Sequence, residues 1–423
     1  MERTFAKTIW SCLLSAVAFL VAIFPAHAGI DGVTGPTFNL TAKTGYISTA
    51  DGGSYLMWGY ANGAGEMQYP GPTLIVNQGD LVTINLSNQL TVPVSILLPG
   101  QGAVAAAGGA PGLLTREATA AGGTVSYSFT ASRPGTYTYY SGTNPDLQVE
   151  MGLVGALVVR PAGYNADTNK IAYNDAGSAY DHEYLFLLSE MDPRIHDQVA
   201  AGAMSLVDNT TYFPVYWFIN GRTAPDTMTP ASNPLLPTQP YNCMPMMHPG
   251  EKILLRMIGG GRDLHPFHTH GNHHNVIARD GRLLSSGAGA DLAEQAFTTS
   301  VVPGSTADAI FGWTGAKLGW DMYGHAPGDP LQPGEYEADH GKPFPVTLPN
   351  QLELTNGQFY SGSPFLGTMG SLPAGEGGFN PNSGFLYMWH SHSEKEITNN
   401  DIFPGGLLTM MIVEAPGVEL MNP

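Results

Sequence analysis

Five of the chain's 13 histidines fall within ten residues, His265-Pro266-Phe267-His268-Thr269-His270-Gly271-Asn272-His273-His274. A second group stands near the end, as Trp389-His390-Ser391-His392. Each group holds a His-x-His pair. In a β-strand residues i and i+2 face the same way, so His268 and His270 project together, and so do His390 and His392. Neutral imidazoles that converge on one point hold copper, zinc or iron. The spacing therefore points to a metal centre on His268, His270, His390 and His392, with His265 and His273 as further candidate ligands and His274 or Glu394 as helpers. A second, softer donor set reads Cys243-Met244-Pro245-Met246-Met247-His248, of the kind that suits Cu(I). Methionines in such a loop more often fill gaps in a core.

The elements that must position these residues are strands. Only 12% of the 423 residues are charged, while Gly (53) and Pro (33) are plentiful, a balance that favours short strands joined by turns. No stretch carries a long helical period. Tyr69 to Leu86 reads as strand, Gly79-Asp80 turn, strand. Val94 to Leu98, Thr124 to Thr130, Gly135 to Tyr140 and Gly155 to Val159 read as further strands, and residues 102–123 as a loop. A Pro/Gly/Asn/Asp-rich shift over 161–181 marks a boundary. After it, Glu183 to Ser189, Trp217 to Arg222 (strand, then turn), His248 to Arg256 (turn, then strand), Thr298 to Trp313, Phe385 to His392 and Leu407 to Glu414 continue the pattern. Residues 315–384 form a long Gly- and Pro-containing insertion. The class this implies is all-β: two Greek-key β-sandwiches, over residues 30–162 and 180–416.

Residues 1–28 have the form of a secretory leader. Arg3 and Lys7 precede a mostly apolar run from Ile9 to Phe24, and Ala26-His27-Ala28 is a small-x-small cleavage site. This implies a periplasmic or extracellular protein with no membrane span once the leader is removed. Removal also takes Cys12 and leaves Cys243 as the one cysteine, so no intrachain disulfide is expected. The net charge of −18 repels nucleic acid and anionic lipid, and neither is expected as a partner. No nucleophile–base pair, phosphate loop or paired-carboxylate pattern stands out. Glu190 and Asp192 read as ordinary turn carboxylates.

The chain resembles the multicopper oxidases, the laccase-like proteins built from cupredoxin β-sandwiches. Pro70-Gly71-Pro72-Thr73-Leu74 with Gly79-Asp80 is similar to the start of their first domain. Asp181 to Ser189 and Phe218 to Arg222 are similar to the opening of a later one. His265-Pro266-Phe267-His268-Thr269-His270-Gly271 is similar to their His-Pro-x-His-x-His-Gly motif, and Trp389-His390-Ser391-His392 to their C-terminal His-Cys-His motif. The resemblance implies copper as the cofactor, with zinc as the alternative metal, and a copper-dependent oxidoreductase served by an electron-transfer partner or a small reductant. It also implies departures. The family's three-copper cluster takes two His-x-His pairs from the first domain, and Leu97, Pro99, Tyr140 and Gly142 stand in those four places. The family's blue copper needs a thiolate and a second histidine, and Ser391 and Glu396 stand there, with Leu407 near the axial place. A reduced metal set follows, with no blue copper. A homotrimer could supply ligands across an interface, as in two-domain members of the family. The alternative function is a non-catalytic copper-binding or structural cupredoxin-fold protein.

Overall fold

The computed structural model describes residues 30–325, 328–343, 363–366 and 384–420, the last-but-one for its backbone only. The leader and much of the 315–384 insertion lie outside the described residues. Within them the chain builds two pairs of sheets. In the first pair, one sheet runs in the order Val33–Thr34, Gly71–Asn77, Val154–Arg160, Gly135–Tyr140. The facing sheet runs Ser54–Asn62, Thr37–Ser48, Leu81–Asn88, Thr124–Thr130, Ala105–Gly108. Alternation decides which side chains lie between them. Along Leu81–Asn88 the buried residues are Val82, Ile84, Leu86 and Asn88, and along Thr124–Thr130 they are Val125, Tyr127 and Phe129.

The Gly79-Asp80 turn has a particular task. Its two strands belong to opposite sheets, so the chain crosses the sandwich there and does not form a hairpin. Gly79 takes φ +94°, in the region glycine enters without a Cβ clash. The Asp80 carboxylate accepts the Asn77 N–H at 2.8 Å and holds the corner. Val94 to Leu98 differs from the sequence expectation. Pro93 and Pro99 bracket it, and it makes isolated bridges at Val94 and Leu97 in place of a regular strand.

The second pair repeats the plan. One sheet runs Tyr216–Ile219, His182–Met191, Lys252–Gly259, Thr306–Gly312, His274–Arg279, Arg282–Leu283. The other runs Met246–Met247, Leu408–Val413, Gly384–Ser391, His265–Thr269, Thr298–Val301. Between them lies an aromatic core that includes Phe186, Phe267, Phe311, Phe385, Tyr387 and Trp389. Phe186 and Phe267 sit 5.0 Å apart between ring centroids, and Phe311 and Trp389 the same distance apart. Among the described residues the one helix of two turns, Pro193–Ala200, starts at Asp192, whose Oδ1 accepts the Arg194 N–H at 3.1 Å. Asp192 is therefore a helix cap as well as a turn residue. No helix among the described residues is long and apolar enough to cross a membrane.

The two sandwiches meet through buried charge. Arg160, the last residue of its strand, donates to both carboxylate oxygens of Glu183, with Nη1 at 2.7 Å from Oε2. Arg256 Nε donates to the same Oε2 at 2.9 Å. Arg256 Nη1 reaches Thr136 Oγ1 at 2.9 Å, and Thr136 donates to Asp308. Arg160, Glu183, Arg256 and Asp308 are all buried.

Candidate metal centre

The register of two strands assembles the histidines. His265–Thr269 pairs antiparallel with Gly384–Ser391, and His268 lies directly opposite His390. On the first strand His265, Phe267 and Thr269 turn into the core, which leaves His268 on the opposite face. On the second, Phe385, Tyr387 and Trp389 fill the core, and His390 shares the outer face. His270 and His392 follow two residues on. The four rings come together: centroids are 4.7 Å apart for His268–His270, 4.7 Å for His268–His392, 5.2 Å for His270–His390 and 5.8 Å for His390–His392. Ligand-type nitrogens of His268, His270 and His390 lie within 4.8 Å of one another.

Two of the rings are oriented from behind. His268 Nδ1 meets Thr298 Oγ1 at 2.7 Å, and His390 Nδ1 donates to the Ser391 carbonyl at 2.6 Å. That leaves their Nε2 atoms for the centre, and His390 Nε2 lies 3.1 Å from His270 Nε2. Such outer partners fix ring orientation and tautomer in metal sites. Burial, and then the neighbouring imidazoles, push His268 down to about 3. Burial pushes His390 down to about 4, with the Ser391 carbonyl and Glu394 opposing. Both rings are neutral at pH 7 and offer lone pairs. His268 and His270 are only half-buried, so the centre opens toward solvent. Three converging imidazoles, with His392 beside them on the exposed rim, suit Cu(II) or Zn(II).

The other sequence candidates are placed elsewhere. His265 stands three residues from His268, on the opposite face of the strand, and is fully buried. Its Nδ1 faces Glu396 Oε2 at 2.8 Å and its Nε2 faces Glu190 Oε2 at 3.0 Å. Burial alone would lower its pKa, but the two carboxylates outweigh it and raise it to about 9. An imidazolium with both nitrogens committed has no lone pair for a metal, which takes His265 out of the ligand set. His273 stacks on Phe297, centroids 3.7 Å apart, outside the three-histidine group. His274 is held by Thr269 Oγ1 at 2.8 Å and Thr299 Oγ1 at 2.7 Å, so it serves the core. Cys243 is fully buried, its thiol pushed up to about 12 by burial. With Met246 and Met247 also at zero exposure, the soft-donor stretch is core.

An ion cluster surrounds His265. Ser391 is buried, and Glu396 fills the second-histidine place and binds His265. Glu190, read from sequence as a turn carboxylate, is a buried strand residue. It also accepts the Arg262 and Asp263 N–H groups at 2.5 and 2.9 Å. The sequence carried one hint: a lone charged residue inside the apolar run Tyr184 to Met191.

The first sandwich offers no donors in the four family places. Leu97 and Tyr140 exchange backbone hydrogen bonds at 2.7 and 3.2 Å. A Cβ added to Gly142 would come within 2.7 Å of Leu97 Cγ. The two stretches that should carry histidines are neighbours, and apolar contact fills the space between them. Pro99 and Tyr140 line two clefts of about 320 and 200 Å³ shared with Pro303 and Gly304. None of the four clustered histidines lines either cleft.

Two facing sandwiches, with a histidine centre on one strand pair, define a protein of the cupredoxin class. Residues 42–163 match the family model for multicopper oxidases. The chain is 29% identical over 197 residues to the iron transport multicopper oxidase fetC of Epichloe festucae, a match covering 46% of this chain and 27% of that protein. It is 30% identical over 169 residues to an L-ascorbate oxidase of Brassica rapa, covering 37% and 26%. The match thus spans about a quarter of the length of these relatives. Among solved structures, a blue copper oxidase from Nitrosomonas europaea superposes with a TM-score of 0.56 at 20% identity, covering 89% of this chain and 85% of that one. A copper nitrite reductase from the same organism superposes at 0.52 and 13% identity, covering 92% and 98%. At these identities the superpositions establish the fold. The matched stretch, residues 42–163, is thus similar to a multicopper oxidase domain, and the fold is the one those oxidases share.

Proposed function

We propose that this is an exported copper-binding protein of the oxidoreductase type, with one copper ion held by His268, His270, His390 and His392, and with neither a blue copper nor an oxygen-reducing cluster. The observation that carries the proposal is the converging set of imidazoles, with His270 and His390 presenting Nε2 atoms 3.1 Å apart. Copper bound there would supply one-electron redox chemistry. The protein's own part is to orient His268 and His390 through Thr298 and the Ser391 carbonyl, and to keep those two rings deprotonated by burial. The half-exposed face admits a small reductant or an electron-transfer partner. Export rests on the leader at residues 1–28.

The reduced metal set rests on four substitutions acting together. Ser391 provides no thiolate, since a serine hydroxyl is not ionised at neutral pH. Glu396 replaces an imidazole and recruits His265 into a salt bridge. Leu97 and Gly142 pack against each other. Protein loaded with excess copper is therefore expected to lack an intense band near ~600 nm, the mark of a copper–thiolate bond, and to take up oxygen with a phenolic substrate far below ~1 turnover per second. Ser391→Cys alone should change neither result, because Glu396 and His265 remain paired. Visible spectroscopy and an oxygen electrode decide it. A strong blue band, or turnover at an ordinary enzymatic rate, would contradict the reading. Copper bound tightly but never reduced by any donor would instead mark a non-catalytic copper-binding protein.

A further inference from the structure

A second group of metal-type donors lies in the insertion, away from the four histidines. Asp321, His325, Glu335 and His340 each offer a ligand atom, and all four atoms lie within 4.8 Å of one another. His325 Nδ1 is 2.8 Å from Asp321 Oδ2 and 3.4 Å from Glu335 Oε1. His340 Nδ1 is 2.8 Å from the same Glu335 oxygen. The side chains of Asp321, Glu335 and His325 are 0%, 3% and 5% exposed, and that of His340 23%. One ring N–H on His325 cannot bond well to two carboxylates at once. Its other nitrogen, Nε2, is buried with no hydrogen-bond partner. His325 is therefore poorly matched by hydrogen bonds alone. No arginine or lysine ion-pairs with Asp321 or Glu335 among the described residues, and Lys342 pairs with Asp339.

We infer that Asp321, His325, Glu335 and His340 form a structural site for a divalent ion of the zinc class, which ties together residues 321–340 of the insertion beside the point where Trp320 and Met322 anchor it to the second sandwich. The chemistry fits. Two carboxylates balance the charge of a divalent ion, and two imidazoles complete four donors of the N and O types that zinc accepts. The outer contacts are of the kind such ligands need. His340 Nε2 faces the Asp329 carbonyl at 3.0 Å. Asp321 accepts N–H groups from Tyr323 at 2.8 Å and Gly341 at 2.9 Å, and Glu335 Oε2 accepts the Gln332 N–H at 2.8 Å. The frame is anchored as well. Trp320 and Met322 flank Asp321 and are buried in the second-sandwich core, where the Trp320 indole stacks on Phe385. A four-donor set drawn wholly from side chains leaves no open position, which distinguishes structural zinc from catalytic zinc.

The site does not depend on the four-histidine centre, and the test separates them. The full chain carrying His268→Ala and His390→Ala is stripped with chelator and titrated with Zn(II), then with Co(II). Metal content and calorimetry are expected to show about one equivalent bound, and the Co(II) form should show visible bands of a tetrahedral ion. Adding His340→Ala, at the most exposed of the four donors, should weaken zinc at least about 100-fold. His325→Ala should do the same, with circular dichroism showing that both remain folded. No zinc uptake by the double-alanine protein would overturn the inference. So would zinc bound with equal affinity after His340→Ala or His325→Ala, since the ion then sits elsewhere.

Discussion

Replacing Glu183 with glutamine should lower the free energy of unfolding by ~3–5 kcal/mol, the usual cost of removing one partner from a buried charge cluster. Glu183 serves two arginines at once, from Arg160 Nη1 at 2.7 Å and Arg256 Nε at 2.9 Å. Without its charge both guanidinium groups stay buried, and Asp308, 3.9 Å from Arg256, is the one remaining carboxylate near them. Arg256 already has one nitrogen, Nη2, without a hydrogen-bond partner, so it cannot absorb a further loss. Burial would raise the Glu183 pKa, but Arg160 and Arg256 outweigh it and hold it at about 2. A depressed carboxylate pKa means stabilisation that is present above the unfolded value of 4.5 and lost as pH falls toward 2. Urea unfolding followed by tryptophan fluorescence at pH 7 and pH 3 measures both effects. A loss below ~1 kcal/mol at pH 7 would mean that the cluster is screened by water. Because Arg160 and Thr136 belong to the first sandwich, the variant should also uncouple the two sandwiches into separate transitions.

The second large effect is expected at His265. His265→Gln should cost a similar ~3–5 kcal/mol at pH 6, because it leaves Glu190 and Glu396 facing each other without the cation between them. The sign of its pH dependence is opposite to that of Glu183. A histidine raised to about 9 contributes stability that is complete below its unfolded pKa of 6.5 and is lost as pH rises through 9. Glu190, lowered despite its burial by the hydrogen bond and charge of His265, adds a term that is lost only in acid. The wild-type protein should therefore lose stability between pH 6.5 and 9, and His265→Gln should flatten that slope. Unfolding at pH 6 and pH 9 measures it, and equal slopes for both proteins would contradict the ion cluster. Copper content separates the roles further: His265→Gln should leave it unchanged.

Much of this was legible in the residue order. Period-two alternation in Thr124–Thr130, and the paired His-x-His motifs, predict strands with imidazoles on a shared face, and the structure has them. The same parity, applied strictly, separates His265 from His268, because an odd spacing puts them on opposite faces. What could not be read was long-range. Glu190 and Glu396 lie 75 and 131 residues from His265, and only the packing of three elements brings them to its two nitrogens. The Arg160–Glu183–Arg256 cluster has the same character. Gly79-Asp80 was legible as a turn but not as a sheet crossing, since a turn's sequence does not say which sheet its strands will join. Asp321, His325, Glu335 and His340 sit on loop-rich chain, where no period places their side chains.

The central claim is that copper sits on His268, His270, His390 and His392. Its most direct test is the electron paramagnetic resonance spectrum of Cu(II)-loaded protein, compared with that of His268→Ala and His390→Ala. The wild type should show one Cu(II) species with nitrogen hyperfine structure and no blue-copper splitting, and each variant should lose that signal or shed imidazole nitrogen from it. The same copper spectrum and stoichiometry in all three proteins would contradict it.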